Sequence, residues 1–382
     1  MKDKTSQKNY IGLGAIKNLD KYLGHNKVKK IFLVSGKMAY KLCGAEKLLR
    51  PVFEKYSVFN FTGFSSNPNL VDIKRGLKLF KKYNPDLVIA IGGGSAIDVA
   101  KTINILAAQG ASPKDYILKK KKIKEPGKKL VAIPTTAGTG SEATQFSVIY
   151  IGKHKYSLKH PYILPDCAII DPQFTLSLDK KIAAATGADA LSQALESYWS
   201  VKSTPESKKY AAQAIKLILK NFQKAVKHSN RSAKLAMSRA ANLSGRAINI
   251  SETTACHAIS YPITSYFGVP HGQAVALTLG SMLVYNSQVG TEDIMDKRGI
   301  EYVKRTIRDL IGLFGVSDVH GAKNKIHRLL KNVGLETKLS ALGISNKDIR
   351  VIIKNGFNHD RMKNNPRRLT KENFLNILND LR

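Results

Sequence analysis

The sequence predicts two unlike halves: an α/β N-terminal domain on a parallel sheet, residues 1–172, and an all-α C-terminal domain, residues 173–382. Three observations predict it. In the first half, short continuous apolar runs alternate with amphipathic stretches, as in strands buried on both faces and joined by helices. Two of those runs end directly in loops of glycine and small hydroxyl residues. Beyond residues 169–172 the β-branched runs cease and helical periodicities take over.

The elements follow in order. Residues 30–34 (KIFLV) read as a buried strand, and 38–49 as the helix after it. Residues 58–61 are a second short strand, and 71–83 carry helical spacing through Val71, Ile73, Leu77, Leu79 and Phe80. Residues 87–91 (LVIAI) are a third strand running into Gly92–Gly94, with a helix over 96–107. Residues 130–133 (LVAI) are a fourth strand, stopped by Pro134. The second half offers helices over 180–201, 205–228, 233–248, 254–267, 273–288, 298–314, 321–333, 346–354 and 371–381.

Composition narrows the function. At 382 residues the chain buries a core without staples, and 43% hydrophobic against 24% charged residues argues against disorder. Three scattered cysteines exclude a disulfide framework and fit a reducing compartment. No run approaches the roughly 18 apolar residues of a membrane span, and the N-terminus lacks a signal-peptide core. The expectation is a cytoplasmic protein without a membrane partner. Lys+Arg 62 against Asp+Glu 28 leaves +34. That charge admits a nucleic-acid-binding module, but the densest run, from Lys119 to Lys129, has no aromatic stacking platforms and reads as a solvated loop. A positive field also steers small anions.

Four motifs carry chemistry. In Ile91-Gly92-Gly93-Gly94-Ser95-Ala96-Ile97-Asp98-Val99-Ala100-Lys101 a strand ends in three glycines and a helix begins. Glycines let backbone N–H groups approach a phosphate, and the helix terminus favours the anion. This is a diphosphate cradle at the carboxyl edge of a sheet, with a ligand-free turn as the alternative. Residues 134–144 (PTTAGTGSEAT) crowd hydroxyls and glycines into a second loop after a strand. In GADALSQALE, Asp189 and Gln193 lie one turn apart on a helix face, unless Asp189 is only an N-cap. His257 lies in an apolar helical stretch and His271 just before another helix. Each reads as a core histidine alone; with an Asp they also make a transition-metal site.

Taken together and in this order, GGGSAIDVAK, PTTAGTGSEAT, GADALSQALE and Pro270-His271-Gly272 resemble the iron-containing (group III) alcohol dehydrogenase family, over residues 8–375. The resemblance implies the dehydroquinate synthase-like fold, a nucleotide-binding domain, a helical domain and a divalent metal between them. It implies reversible NAD(P)-dependent aldehyde–alcohol interconversion and a homodimer. Position by position, Gly92, Gly93, Gly94 and Ser95 would hold the diphosphate. Asp98, Thr135, Thr136 and Thr139 would line the cofactor further along, and Lys155 would approach the nicotinamide ribose. Asp189, His257 and His271 match three of four metal ligands.

There are departures. Gln193 stands where the family usually has His, offering Fe²⁺ or Zn²⁺ a weaker, neutral ligand. Tyr261 replaces a further histidine, as proton relay or packing residue. Gly36 beside Lys37 replaces an Asp that favours NADH, which makes NADPH acceptable. Within the family, DALSQALESYWSVKSTPES and ISYPITSYFGVPHG resemble the phosphonoacetaldehyde-reducing subgroup of phosphonate biosynthesis, whose pattern also carries Gln. That implies reduction of phosphonoacetaldehyde to 2-hydroxyethylphosphonate. Arg246, Thr253, Thr254 and Arg361 are then candidate substrate contacts, with surface or capping roles as the alternative. The competing readings are a generic short-chain alcohol dehydrogenase, or a polyol-phosphate dehydrogenase or dehydroquinate synthase-like lyase of the same fold.

Overall fold

The computed structural model describes residues 7–228, 230–357 and 359–382. The chain divides into two compact units, with the break between Leu178 and Asp179. The first unit carries β1 (Lys8–Ile11), β2 (Lys30–Ser35), β3 (Ser57–Phe61), β4 (Leu87–Gly92), β5 (Lys129–Pro134), β6 (Phe146–Ile151), β7 (His154–Lys159) and β8 (Cys167–Ile170). Six of them form a parallel sheet in the order β1-β8-β5-β4-β2-β3, and β6 and β7 pair as an antiparallel hairpin. Its helices are α1 (Asn18–His25), α2 (Ala39–Leu42), α3 (Ala45–Phe53), α4 (Leu70–Tyr83), α5 (Gly94–Ala107) and α6 (Pro113–Ile117).

The unbroken apolar runs have a simple cause. In β4, Val88 and Ala90 enter the core on one face of the sheet, with Ile73, Phe80 and Ile103. Leu87, Ile89 and Ile91 enter the other, with Leu19, Leu23 and Leu49. Both faces are covered, so no position in the strand is left for a polar residue. The strand order reverses between β2 and β4, where the sheet opens a crevice at its carboxyl edge. Gly36 and Gly92 stand side by side there: a Cβ on Gly92 would lie 3.8 Å from the Gly36 nitrogen.

The second unit is helical throughout: α7 (Lys180–Trp199), α8 (Pro205–Lys227), α9 (Arg231–Ser251), α10 (Ala255–Phe267), α11 (His271–Leu277), α12 (Leu279–Ser287), α13 (Ile300–Phe314), α14 (Val319–Asn332), α15 (Ile349–Gly356), α16 (His359–Met362) and α17 (Lys371–Asn379). Helix α7 packs against α8, α9, α11 and α13, which buries it on nearly every side. No described helix is long and apolar enough to cross a membrane.

Some sequence expectations needed correction. The helix expected over 38–49 breaks at Gly44, whose φ of 80° ends α2 and lets α3 start. The helix expected over 273–288 is two, parted at Thr278. The strands β1, β6, β7 and β8 were not foreseen.

Candidate metal centre and nucleotide loops

Asp189 lies in the middle of α7 and is buried. It is not a cap: Asp179 caps α7, accepting from the Lys181 and Ile182 amides. Helix α10 brings His257 towards it, and α11 brings His271 as its first residue. One ligand atom from each of Asp189, His257 and His271 lies within 4.8 Å of the others. His257 Nε2 is 3.5 Å from Asp189 Oδ1, and the two imidazole centroids are 5.5 Å apart at 75°. The Ser260 hydroxyl is 3.3 Å from His271 Nδ1, which leaves Nε2 for a ligand. Gly272 permits the approach, for a Cβ there would stand 2.8 Å from that of Asp189. One carboxylate and two imidazoles converging at a largely buried point fit a divalent cation such as Fe²⁺ or Zn²⁺.

Glu196, which the sequence reading passed over, completes the arrangement. It is fully buried on α7. Its Oε1 accepts from the Thr254 amide (3.0 Å), the Thr254 hydroxyl (2.7 Å) and the His257 amide (3.3 Å). Its Oε2 meets His257 Nδ1. Burial alone would lower the His257 pKa, but the Glu196 and Asp189 carboxylates outweigh it and lift it to about 9. The signal in the sequence was a charged residue on the Asp189–Gln193 face of a helix with almost no solvent-exposed side.

In the first unit the glycine and hydroxyl loops interlock. A Cβ on Gly93 would lie 3.3 Å from Thr136 Cγ2, and one on Gly94 only 2.8 Å from Thr139 Cγ2. The Thr135 amide donates to Gly92 O at 3.0 Å, and Ser95 Oγ bonds Ser66 O. Half-buried Asp98 accepts from Ser141 Oγ (2.6 Å) and the Val148 amide (3.1 Å). Burial pushes its carboxyl pKa up, against the pull of Lys101 and of Lys155 on β7. Lys101 is buried and donates to Ser141 Oγ (3.1 Å), Thr144 O (2.7 Å) and Phe146 O (2.8 Å). It pins the second loop to α5, and burial drives its pKa down to about 8.

Residues 6–172 match the iron-containing alcohol dehydrogenase model, and residues 183–381 match that of the Fe-containing alcohol dehydrogenase family, C-terminal. The chain belongs to the iron-containing alcohol dehydrogenase family. It is an oxidoreductase, an alcohol dehydrogenase or aldehyde reductase using NAD. The phosphonoacetaldehyde reductase of Streptomyces viridochromogenes is 36% identical over 304 residues, 77% of this chain and 76% of that one. The long-chain-alcohol dehydrogenase 1 of Geobacillus thermodenitrificans is 30% identical over 362 residues, 92% and 89% of the two chains. The crystal structure of sulfoacetaldehyde reductase from Bifidobacterium kashiwanohense in complex with NAD⁺ superposes with a TM-score of 0.87 at 30% identity, covering 98% and 96%.

In this iron-containing alcohol dehydrogenase the remaining candidates divide sharply. Gln193 is buried on α7, with the Ser244 hydroxyl 3.5 Å from its Oε1. The Tyr261 ring lies 6.4 Å from that of His271, and Arg361 hydrogen-bonds Tyr261. Arg361 also donates to Glu252 Oε2 (3.1 Å), which Lys202 (3.2 Å) and Asn364 (3.3 Å) share. The Thr254 hydroxyl is committed to Glu196 and Trp199. Thr253 is buried, its carbonyl taken by Asn364. Arg246 lies over the Tyr210 ring, 4.2 Å from its centroid, and donates to its hydroxyl. That spends Arg246 on the α8–α9 contact.

Proposed function

We propose that this enzyme reduces a small anionic aldehyde with NADH or NADPH at a metal site, with phosphonoacetaldehyde, reduced to 2-hydroxyethylphosphonate, as the best candidate substrate. The observation that carries the anionic part is the Arg361 guanidinium on Tyr261, next to the His271 ring. A guanidinium there favours a substrate with an oxyanion two or three bonds from its carbonyl. Two of the similar proteins, the phosphonoacetaldehyde and sulfoacetaldehyde reductases, act on acetaldehydes of that kind.

Reduction needs a station for the nucleotide and one for the carbonyl. The interlocked loops around Gly92–Gly94 and Thr135–Thr139 suit the diphosphate, because they expose backbone N–H groups at a helix terminus. Gly36 and Lys37 at the end of β2 leave room and charge for a 2′-phosphate, so NADPH is accepted as well as NADH. Asp189, His257 and His271 would hold the cation, Fe²⁺ or Zn²⁺, with Gln193 as a neutral fourth donor. When bound, the nicotinamide supplies the hydride and the cation draws charge from the carbonyl oxygen. Tyr261 Oη, held by Arg361, would be the proton donor to that oxygen. Arg361 orients the substrate by its anionic end.

The test is oxidation of NADH and of NADPH with phosphonoacetaldehyde, sulfoacetaldehyde and propionaldehyde, before and after treatment with a chelator. Preference for the charged aldehydes and loss on chelation are expected. Equal rates with propionaldehyde would favour a general short-chain dehydrogenase. Nucleotide that cycles without net oxidation would point to a lyase.

A further inference from the structure

Glu196 divides its carboxylate between two tasks. Oε1 gathers the backbone amides of Thr254 and His257 and the Thr254 hydroxyl. These belong to the first turn of α10, whose N-cap residue, Thr254, makes no side-chain cap bond of its own. A carboxylate from α7 therefore caps α10 and meets the positive end of its dipole. Oε2 faces the ring of His257 at Nδ1. The Trp199 indole N–H donates to Thr254 Oγ1 at 3.0 Å, which closes the buried network.

Helix α7 also carries Asp189, two turns before Glu196. One rigid helix thus presents a candidate ligand and, further along, the group that fixes the ring of a second. We propose that Glu196 is a positioning residue for metal capture: it keeps the ring hydrogen of His257 on Nδ1 and turns Nε2 towards Asp189. This rests on the metal reading above. The capping contacts hold α10 in place, whereas the Oε2 contact alone selects the nitrogen that faces the cation.

Glu196→Gln separates the two tasks. Its amide oxygen retains the contacts at Thr254 and His257 N–H. Its amide NH₂ then faces Nδ1, which must accept, and the ring hydrogen moves to Nε2, where a cation would bind. Thr254→Val is the complement: it removes a capping hydroxyl and leaves Oε2 on the ring.

The experiment titrates the full-length protein, stripped of metal, with Zn²⁺ against a chromophoric chelator. Thermal unfolding and NADH fluorescence are measured in parallel, and the Co²⁺ absorption spectrum reports geometry. For Glu196→Gln the expected result is a 10- to 100-fold loss of Zn²⁺ affinity, an altered Co²⁺ spectrum and unchanged NADH binding. Thr254→Val is expected to unfold at lower temperature with Zn²⁺ affinity within threefold of the parent. Equal Zn²⁺ affinity in Glu196→Gln and the parent overturns the proposal, as does a loss in Thr254→Val matching that in Glu196→Gln. If the parent takes up no Zn²⁺ or Co²⁺, the metal reading itself fails, and the positioning role of Glu196 with it.

Discussion

A Cβ placed on Gly272 would lie 1.9 Å from the carbonyl oxygen of Ala185. No side-chain rotation relieves that contact, because both partners are backbone or fixed to it. The glycine after His271 is therefore what lets α11 lie on α7 and brings His271 to Asp189. Gly272→Ala is expected to cost about 1–3 kcal/mol, as overpacking does, and to weaken Zn²⁺ binding at least 10-fold. Denaturant unfolding and a metal titration measure both. Stability lost with metal affinity intact would show that the helix shift spares the trio.

The two glycine and hydroxyl loops, proposed above to hold the nucleotide, offer a paired test. The Thr139 side chain occupies the space that a Cβ on Gly94 would need. Gly94→Ala should weaken NADH binding 10-fold or more while leaving Zn²⁺ binding in the helical unit unchanged. Adding Thr139→Ala removes the Cγ2 and Oγ1 atoms at fault and should recover part of the loss. A double variant no better than Gly94→Ala would mean that the two loops do not share one nucleotide-binding surface.

Lys101 gives a pH dependence with a defined sign. Its pKa falls from 10.5 unfolded to about 8 folded. Between those values the unfolded chain holds a proton that the folded chain has released. Stability from this group therefore rises with pH across about 8 to 10.5 and is flat below 8. Lys101→Met removes that dependence and weakens the chain at every pH, because Thr144 O and Phe146 O lose their donor. The stability gap between parent and variant should widen by about 3 kcal/mol over the window, at 1.36 kcal/mol per pKa unit. A gap that stays constant from pH 7 to 10.5 would mean that the buried amine keeps its ordinary pKa.

What could be read in advance depended on burial. β2, β4 and β5 were legible because a strand covered on both faces admits no polar residue. β1 (KNYI) and β7 (HKYSLK) escaped notice because edge and hairpin strands carry Lys and His outward, which breaks any apolar run. Asp189, His257 and His271 were visible as residue types in family spacing. Glu196 was not, since its meaning arises only when the start of α10, far along the chain, lands on its carboxylate. For Arg246 the sequence left a substrate contact and a surface or capping role both open, because an arginine near the right segment says nothing of the side it faces; the structure sets it on Tyr210.

Arg361 supports the final prediction. Removing it does not strand Glu252, because Lys202 and Asn364 still hold the same carboxylate oxygen. Arg361→Ala should therefore fold normally, and its defect should be confined to substrates that use the guanidinium. A charge-assisted hydrogen bond is worth about 1.5–3 kcal/mol, which corresponds to roughly 10- to 100-fold in kcat/KM. Phosphonoacetaldehyde should lose that factor, and propionaldehyde should change less than threefold if Tyr261 still delivers its proton. Arg361→Lys should recover only part of the loss, since an ammonium cannot form the paired bonds of a guanidinium. If both aldehydes fall together, Arg361 acts on Tyr261 and the proton rather than on the anion. If neither falls, the anion is bound elsewhere, and Lys202 is the next residue to replace.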